Sequence, residues 1–286
     1  MTKNGKKSPF RWQHIKVIGR ITMDWDNAIL SRYMRYRYAK DLFKKVGKAC
    51  FISPKKWEDP FEKRFYDISI DSDQNPIKYG MACYCMTSSP IENSSAFWER
   101  AKDDEDFWVR LDFDLCRFLD NLELFAAENH CRFYLSQVNY DLTEKEIVNG
   151  HRNPKIIKGD LEETYVRLMS LKRRAFKFEN EYRIFAIWDK SNKIAVKDDI
   201  LEVSIQNTKG LIKSITIDPW QHESRKIQLI TELNLAKTKE NTKKLKNNLK
   251  ECMKQENLKI GLYSSGLNRS KKCTALVFPL TRVKKE

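Results

Sequence analysis

The stretch Asp106-Phe107-Trp108-Val109-Arg110-Leu111-Asp112-Phe113-Asp114-Leu115-Cys116-Arg117-Phe118-Leu119 changes its period half-way along. Up to Phe113 the apolar residues fall at every second position (Phe107, Val109, Leu111, Phe113), the spacing of a strand with one buried face. Beyond Asp114 the spacing lengthens to three and four residues, and Leu115, Phe118, Leu119, Leu122, Phe125 and Ala126 make one stripe of a helix. Asp114 stands where a side-chain oxygen caps the first turn. A strand that runs straight into an amphipathic helix sets the class to α+β.

The same reading extends outward. Downstream, Cys131 to Tyr140 returns as a strand. Asp160 followed by Glu163 resembles a capping box, and the helix it opens buries Leu161, Tyr165, Leu168 and Leu171. Tyr182 to Trp188, Ile200 to Ile205 and Leu211 to Ile217 read as strands, with Gly210 at the last turn. Upstream, Tyr79 to Thr87 is a strand, Ala49 to Ser53 is a short one stopped by Pro54, and Trp57 to Phe61 is a loop with large apolar anchors. Asp26 to Lys45 has helical character, with Ile29, Tyr33 and Tyr36 at helical spacing and Gly47 ending it. Ala275 to Leu280 is a last strand. The expectation is a compact mixed domain of small β-sheets with flanking helices.

The length of 286 residues suits a single catalytic-type domain over 1–286. It would carry a basic lead-in over 1–20 and a Lys-rich helical appendage over 222–259. Hydrophobic residues reach 41%, enough for a sizeable core. No stretch approaches the roughly 20 apolar residues that cross a bilayer. Met1 to Lys7 is basic with no apolar run behind it, so no secretory signal and no membrane partner are expected, and the default compartment is cytoplasmic. The seven cysteines are odd in number and scattered, and the one close pair, Cys83 and Cys85, has a spacer too short for zinc. On a strand that pair shares a face. With four isolated histidines, the chain is expected to hold reduced thiols and no metal.

Lys and Arg number 54 against 39 Asp and Glu, a formal charge of +15. An excess of this size points to a polyanionic partner, nucleic acid first. The charge is clustered in the lead-in, in Arg32 to Arg37, in Lys172, Arg173 and Arg174, and in the Lys-rich stretch with Lys243 and Lys244. There is no Gly-rich phosphate loop, no His-Glu-x-x-His and no Gly-x-Ser-x-Gly.

The most informative segment is Phe176-Lys177-Phe178-Glu179-Asn180-Glu181-Tyr182-Arg183-Ile184. Two carboxylates two residues apart point the same way where a strand begins, and Arg183 continues that face. The arrangement is either a carboxylate held by a neighbouring Arg, able to stabilise positive charge, or a surface salt-bridge ladder.

The chain resembles a bacterial family of domains of unknown function. The matching blocks are Arg35-Tyr36-Arg37, Phe51-Ile52-Ser53-Pro54, Trp57-Glu58-Asp59-Pro60-Phe61-Glu62, Cys83-Tyr84-Cys85 and Trp98. They continue through Val109 to Phe113, Val138-Asn139-Tyr140 and Phe178-Glu179-Asn180-Glu181-Tyr182-Arg183, in the family order from residue 35 to about 220. The chain departs from the family at Ala101, where a Tyr is usual, and around Asp106 to Trp108. A looser resemblance is to ADP-ribosyltransferases, which use an Arg or His early, a Ser/Thr strand midway and a Glu-x-Glu late. Arg35 or Arg37, then Thr87-Ser88-Ser89, then Glu179 and Glu181 follow that order.

The second resemblance implies that NAD is the substrate and that nicotinamide leaves through an oxocarbenium-like ribosyl cation. It implies Glu181 as the carboxylate on the ribose and Glu179 as the group on the acceptor. Arg35 or Arg37, with Tyr36, Ser53, Ser88 and Arg183, would make the NAD site. Tyr36, Tyr38 or Trp98 would stack on nicotinamide or an acceptor base. The charge suits a nucleic-acid acceptor, RNA or single-stranded DNA, held in part by Lys172, Arg173, Arg174, Lys243 and Lys244. The expectation is therefore an ADP-ribosyltransferase-like toxin or phage-defence effector with an acidic antitoxin or chaperone. The alternatives are a non-catalytic nucleic-acid-binding protein and a metal-dependent nuclease.

Overall fold

The computed structural model describes residues 12–19, 21, 23–44, 46–70, 79–88, 97–98, 108–141, 160–192 and 194–218, with strand backbone at Tyr263–Ser264, Thr274–Ala275 and Val277–Pro279. The lead-in to residue 11, Ala101, Asp106 and the Lys-rich segment 222–259 lie outside the described residues. The chain is a mixed α/β protein with a large, mostly antiparallel, open sheet in place of the small sheets expected. It divides into two compact units.

The first unit takes residues 1–32, 40–89 and 112–212. Its central strand is β7, Glu181–Asp189, buried at every position but the last. On one side β7 pairs antiparallel with β6, Cys131–Gln137, and β6 pairs in parallel with β1, Ile15–Ile18. On the other side it pairs with β4, Tyr79–Thr87, from Tyr79 opposite Asp189 to Thr87 opposite Glu181. The far edge of β4 is shared. Cys83 faces Ile52 of β3, Gly47–Ile52, while Thr87 faces Ser31 of β2, Ile29–Arg35. Beyond β3 lie β9, Ile200–Ile205, and β8, Val196–Lys197.

A strand buried on both faces reads as a near-continuous apolar run, and Tyr182 to Trp188 does so apart from Arg183. One face of the sheet is covered by α3, Leu115–Asn129. Asp114 caps it, accepting from the Arg117 N–H at 3.1 Å, and its whole predicted stripe is buried. Phe113, Phe118 and Phe125 then interlock with Tyr84, Phe51 and Phe133 at ring separations of 5.1 to 6.3 Å. The other face is covered by α2, Pro60–Ile70, and α4, Leu161–Leu168. There Phe65, Cys83, Tyr134, Val166, Leu168, Met169, Leu171, Phe185 and Ile187 form a second apolar cluster. Glu181 and Arg183 point into this second layer, because residues alternate along β7.

The β2 segment and the stripe of α4 differ from the sequence reading. Ile29 to Arg35 is a strand, not helix, because its contacts reward an extended chain beside β4. Ser31 Oγ donates to Asp112 Oδ1 at 2.7 Å, and Arg32 donates to the Cys85 carbonyl at 3.0 Å while lying 3.8 Å over the Tyr84 ring. The stripe of α4 is rotated: Leu161 is exposed, and Glu162 and Val166 are buried. The reason is polar. Glu162 accepts from the Tyr134 hydroxyl and from Arg132 on β6, and this turns its side of the helix inward.

In the second unit, residues 33–39, 90–111 and 213–286, Tyr33 stacks on Phe97 at 4.7 Å and meets Trp98 edge-on at 4.8 Å. Tyr36–Ala39 is a single helical turn, α1. Asp218 donates through its backbone to the Trp108 carbonyl on β5, Trp108–Asp114. Strand β10, Ile212–Ile217, pairs antiparallel with Val277–Pro279, the segment expected as a last strand. No described helix is long and apolar enough to cross a membrane.

Gly80 lies opposite Trp188, and a Cβ there would come within 2.2 Å of the indole. Gly80→Ala is therefore expected to cost about 1–3 kcal/mol in urea unfolding. Trp188→Leu in the same chain should restore part of the loss.

Candidate active site

The segment Arg174–Glu179 is a turn of 3-10 helix, and β7 begins only at Glu181. Between them Asn180 adopts the left-handed conformation, φ 39° and ψ 55°, which Asn tolerates better than most residues. Its side chain is fixed at both ends. Nδ2 donates to Ser88 Oγ at 2.7 Å, and Oδ1 accepts from Gln137 at 3.3 Å. Glu179 and Glu181 thus reach the same side through a tight reversal, not through the simple strand alternation expected.

A second sequence block arrives from the opposite direction. Trp57 to Phe61 was expected to be a loop, but Pro60 opens α2. Asp59 Oδ1 accepts from the Phe61 N–H at 2.9 Å, and the proline occupies a first-turn position where no N–H is needed. This start aims Glu62, on the first turn of α2, into the interior, where it is 6% exposed.

The two blocks meet in one buried ionic centre. Lys172 Nζ lies 2.5 Å from Glu179 Oε2, 3.0 Å from Glu181 Oε2 and 3.5 Å from Glu62 Oε1. Arg183 grips Glu181 through Nε at 2.9 Å and through an Nη at 3.1 Å. The same Nη reaches Glu62 Oε1 at 2.8 Å, and the other donates to the Met169 carbonyl. The indole of Trp57 closes over the guanidinium at 4.4 Å. The Tyr140 hydroxyl accepts from the Glu181 N–H at 3.0 Å, and the Thr87 hydroxyl donates to the Glu179 carbonyl.

Removing a charge from water costs several kcal/mol even after relaxation, so such groups persist only when paired and hydrogen-bonded. Burial pushes the Glu181 carboxyl up, but Arg183 and Lys172 together outweigh it and hold its pKa at about 2. Burial lowers Lys172, and Glu181, Glu62 and Glu179 more than compensate, so it is raised and stays charged. Arg183 is raised in the same way by Glu181 and Glu62. At formal charges these five described side chains, Glu62, Glu179 and Glu181 against Lys172 and Arg183, sum to one negative unit.

The other residues expected in the site are placed as follows. Ser88 adjoins it through Asn180. Ser53 accepts from the Lys55 N–H at 3.4 Å and caps the turn Pro54–Lys56. Lys172 was expected to hold nucleic acid; it is buried among carboxylates, and a desolvated ammonium committed to three of them is not a surface phosphate contact. Arg173 binds Asp59 Oδ2 at 2.8 Å and packs over Phe61 and Phe176. Arg174 is exposed. Arg35, Tyr36 and Arg37 belong to the second unit, where Tyr36 is buried and the Arg37 guanidinium lies 5.0 Å over Tyr38. Lys243 and Lys244 lie outside the described residues. Cys83 and Cys85 do sit side by side, with Sγ atoms 3.7 Å apart.

Glu62, Trp57, Tyr140 and Thr87 were not expected in the centre. The signal for Glu62 was Asp59-Pro60, a cap followed by an N1 proline, which marks a helix start and a buried first turn. Among the described residues, no group of three or more His, Cys, Asp and Glu side chains is arranged to hold a metal ion. No protein-family model matches the chain, and neither the curated proteins nor the solved structures include a match.

Lys172→Met is expected to cost about 3–5 kcal/mol in urea unfolding, because it leaves three buried carboxylates facing one cation. A surface lysine would change stability by only about 0.5 kcal/mol. Glu181 adds a pH dependence. Its folded pKa lies below its ordinary value of 4.5, so its stabilisation is complete above about pH 4.5 and drains away toward about pH 2. Between those limits Glu181→Gln should make the fall of stability with acid shallower by about 1.4 kcal/mol per pH unit.

Proposed function

We propose that the chain is an ADP-ribosyltransferase-like enzyme, a toxin or phage-defence effector, that transfers ADP-ribose from NAD to nucleic acid, RNA before DNA. The observation that carries this reading is the buried Glu181, its carboxyl held well below its ordinary pKa by Arg183 and Lys172, beside Glu179 and Glu62 at the start of the central strand β7. Nicotinamide leaves NAD with the electron pair of its glycosidic bond, and positive charge grows on the ribosyl carbon. A preorganised carboxylate in a water-poor site stabilises that charge without reorganisation. Lys172 fixes Glu179 and Glu181 to one another across a single ammonium. Glu179 then accepts the proton of the attacking nucleophile while a new bond forms to the ribosyl carbon. Nicotinamide and the ADP-ribosylated strand are the products.

The net charge of +15 supports a polyanionic acceptor, because phosphate contacts hold a strand irrespective of its sequence. Transfer to nucleic acid would harm the cell that makes the enzyme, so an acidic antitoxin or chaperone belongs to the same reading. One observation favours a second reading, a non-catalytic nucleic-acid-binding protein. Both Glu181 carboxylate oxygens are already engaged by Arg183 and Lys172, as in a purely structural ion cluster.

Labelled NAD incubated with the protein and RNA or DNA tests the proposal. Label should pass to the nucleic acid, and Glu181→Gln should reduce transfer about 100-fold or more. This variant leaves Glu62 and Glu179 balanced against Lys172 and Arg183, so its cooperative melting should persist. Absence of transfer by the wild-type chain would overturn the enzyme assignment. Strand cleavage dependent on Mg²⁺ would replace it with a nuclease, and salt-sensitive binding alone with a binding module.

A further inference from the structure

Met81, Cys83 and Cys85 alternate along β4, so their three sulfur-bearing side chains share one face of the strand. All three belong to the apolar layer that α2 and α4 cover, Cys83 buried within it and Met81 and Cys85 half-buried against it. The two thiol sulfurs lie 3.7 Å apart, too far for a bond and near enough to hold one atom between them. A disulfide is not the natural product of this pair. Residues two apart on a strand stand roughly 6.6 Å from one another, whereas a disulfide draws its Cβ atoms to about 3.8 Å. Closing it would pull β4 away from Phe185 and Arg183, its partners on β7. A bridging ion needs no such shift. Sulfurs 3.7 Å apart subtend about 107° at a metal bonded to each at roughly 2.3 Å, an ordinary angle for an ion of low coordination number.

We infer that Met81, Cys83 and Cys85 form a binding site for Cu(I), with the two thiols as the chelate and the thioether as the third donor. The donor set selects the ion. Thiolate and thioether sulfur suit soft ions, and Cu(I) accepts both. Zinc asks for a closed shell of four nitrogen, sulfur or oxygen ligands. Among the described residues, no group of three or more His, Cys, Asp and Glu side chains is placed to supply that shell. The one-residue spacer that is too short for a zinc knuckle is the spacer that sets two sulfurs side by side on a strand. Cys85, half-exposed, is the point of entry, and Cys83, 2% exposed, is the buried end of the chelate. Each thiol gives its proton to solvent as its sulfur–metal bond forms. The ion is handed over by a low-molecular-weight thiol and stays Cu(I), so no electron is transferred.

The test is an anaerobic titration of the full, reduced chain with Cu(I) in competition with a chromophoric Cu(I) chelator. The wild-type chain should hold one ion against the chelator, and the bound ion should raise its melting temperature. Cys83→Ser and Cys85→Ser should each weaken binding at least about 100-fold, and Met81→Leu about 10-fold, the range over which ligand shells tune affinity. Cys85→Ser carries the test if the buried Cys83→Ser fails to fold. Cys50→Ser removes a half-buried thiol of β3 outside this cluster and should bind as wild type. Retention of the ion by the Cys83→Ser, Cys85→Ser double variant, or an equal loss in Cys50→Ser, would overturn the site. Unchanged affinity in Met81→Leu would overturn the part given to the thioether. Loss of both thiols that a reductant reverses and a chelator does not would show a disulfide, and would overturn the site as well.

Discussion

The guanidinium of Arg183 is the constraint around which the first unit is arranged. It is 1% exposed on the central strand, at a position flanked by Cys85 and Ser136 of the neighbouring strands. A charge so placed is tolerated only if every donor is used. Nε takes Glu181, one Nη takes Glu181 and Glu62, the other takes the Met169 carbonyl, and Trp57 covers the plane. These partners come from β7 itself, from α2, from the end of α4 and from the turn before α2. One side chain therefore specifies where three separate elements meet the sheet. A lysine would not substitute, because only the planar fork offers donors in these directions.

Lys172 does the same for the carboxylates. Without it three buried carboxylates would face a single buried cation, Arg183. With it all three approach one ammonium. The opposite face of β7 presents Tyr182, Ile184, Ala186 and Trp188. Its interlocked aromatic rings support the strand whose other side holds the charges.

Much of this was legible in the sequence where local physics decides. Asp114 and the stripe behind it specify α3 almost residue by residue, and Ile200 to Ile205 alternates as a half-buried strand must. Asp160 caps α4 through the Glu163 N–H at 2.9 Å, as the capping signature indicates. The pairing of Glu179, Glu181 and Arg183 was also readable, although the reversal at Asn180 was not. The errors came from contacts distant in sequence. Ile29, Tyr33 and Tyr36 fall at helical spacing, but Asp112 and Cys85 hold Ser31 and Arg32 in a strand, and helix begins only at Tyr36. Leu161 looks like a core residue until Glu162, the next residue and about 100° round the helix, claims the inner side for Tyr134. Lys172 reads as one member of a basic run, and nothing local distinguishes it from Arg173 and Arg174. Only the approach of Glu62, 121 residues from Arg183, reveals what the lysine serves.

The central claim is that two distant sequence blocks are joined by buried charge, and the Glu62–Arg183 pair carries that join. The most direct measurement is a double-mutant cycle on urea unfolding at pH 7, using Glu62→Gln, Arg183→Met and the double variant. The account predicts strong coupling, with the double variant more stable than the sum of the single losses requires by about 1–3 kcal/mol. Additive losses, agreeing within about 0.5 kcal/mol, would contradict it and leave the two blocks merely neighbours.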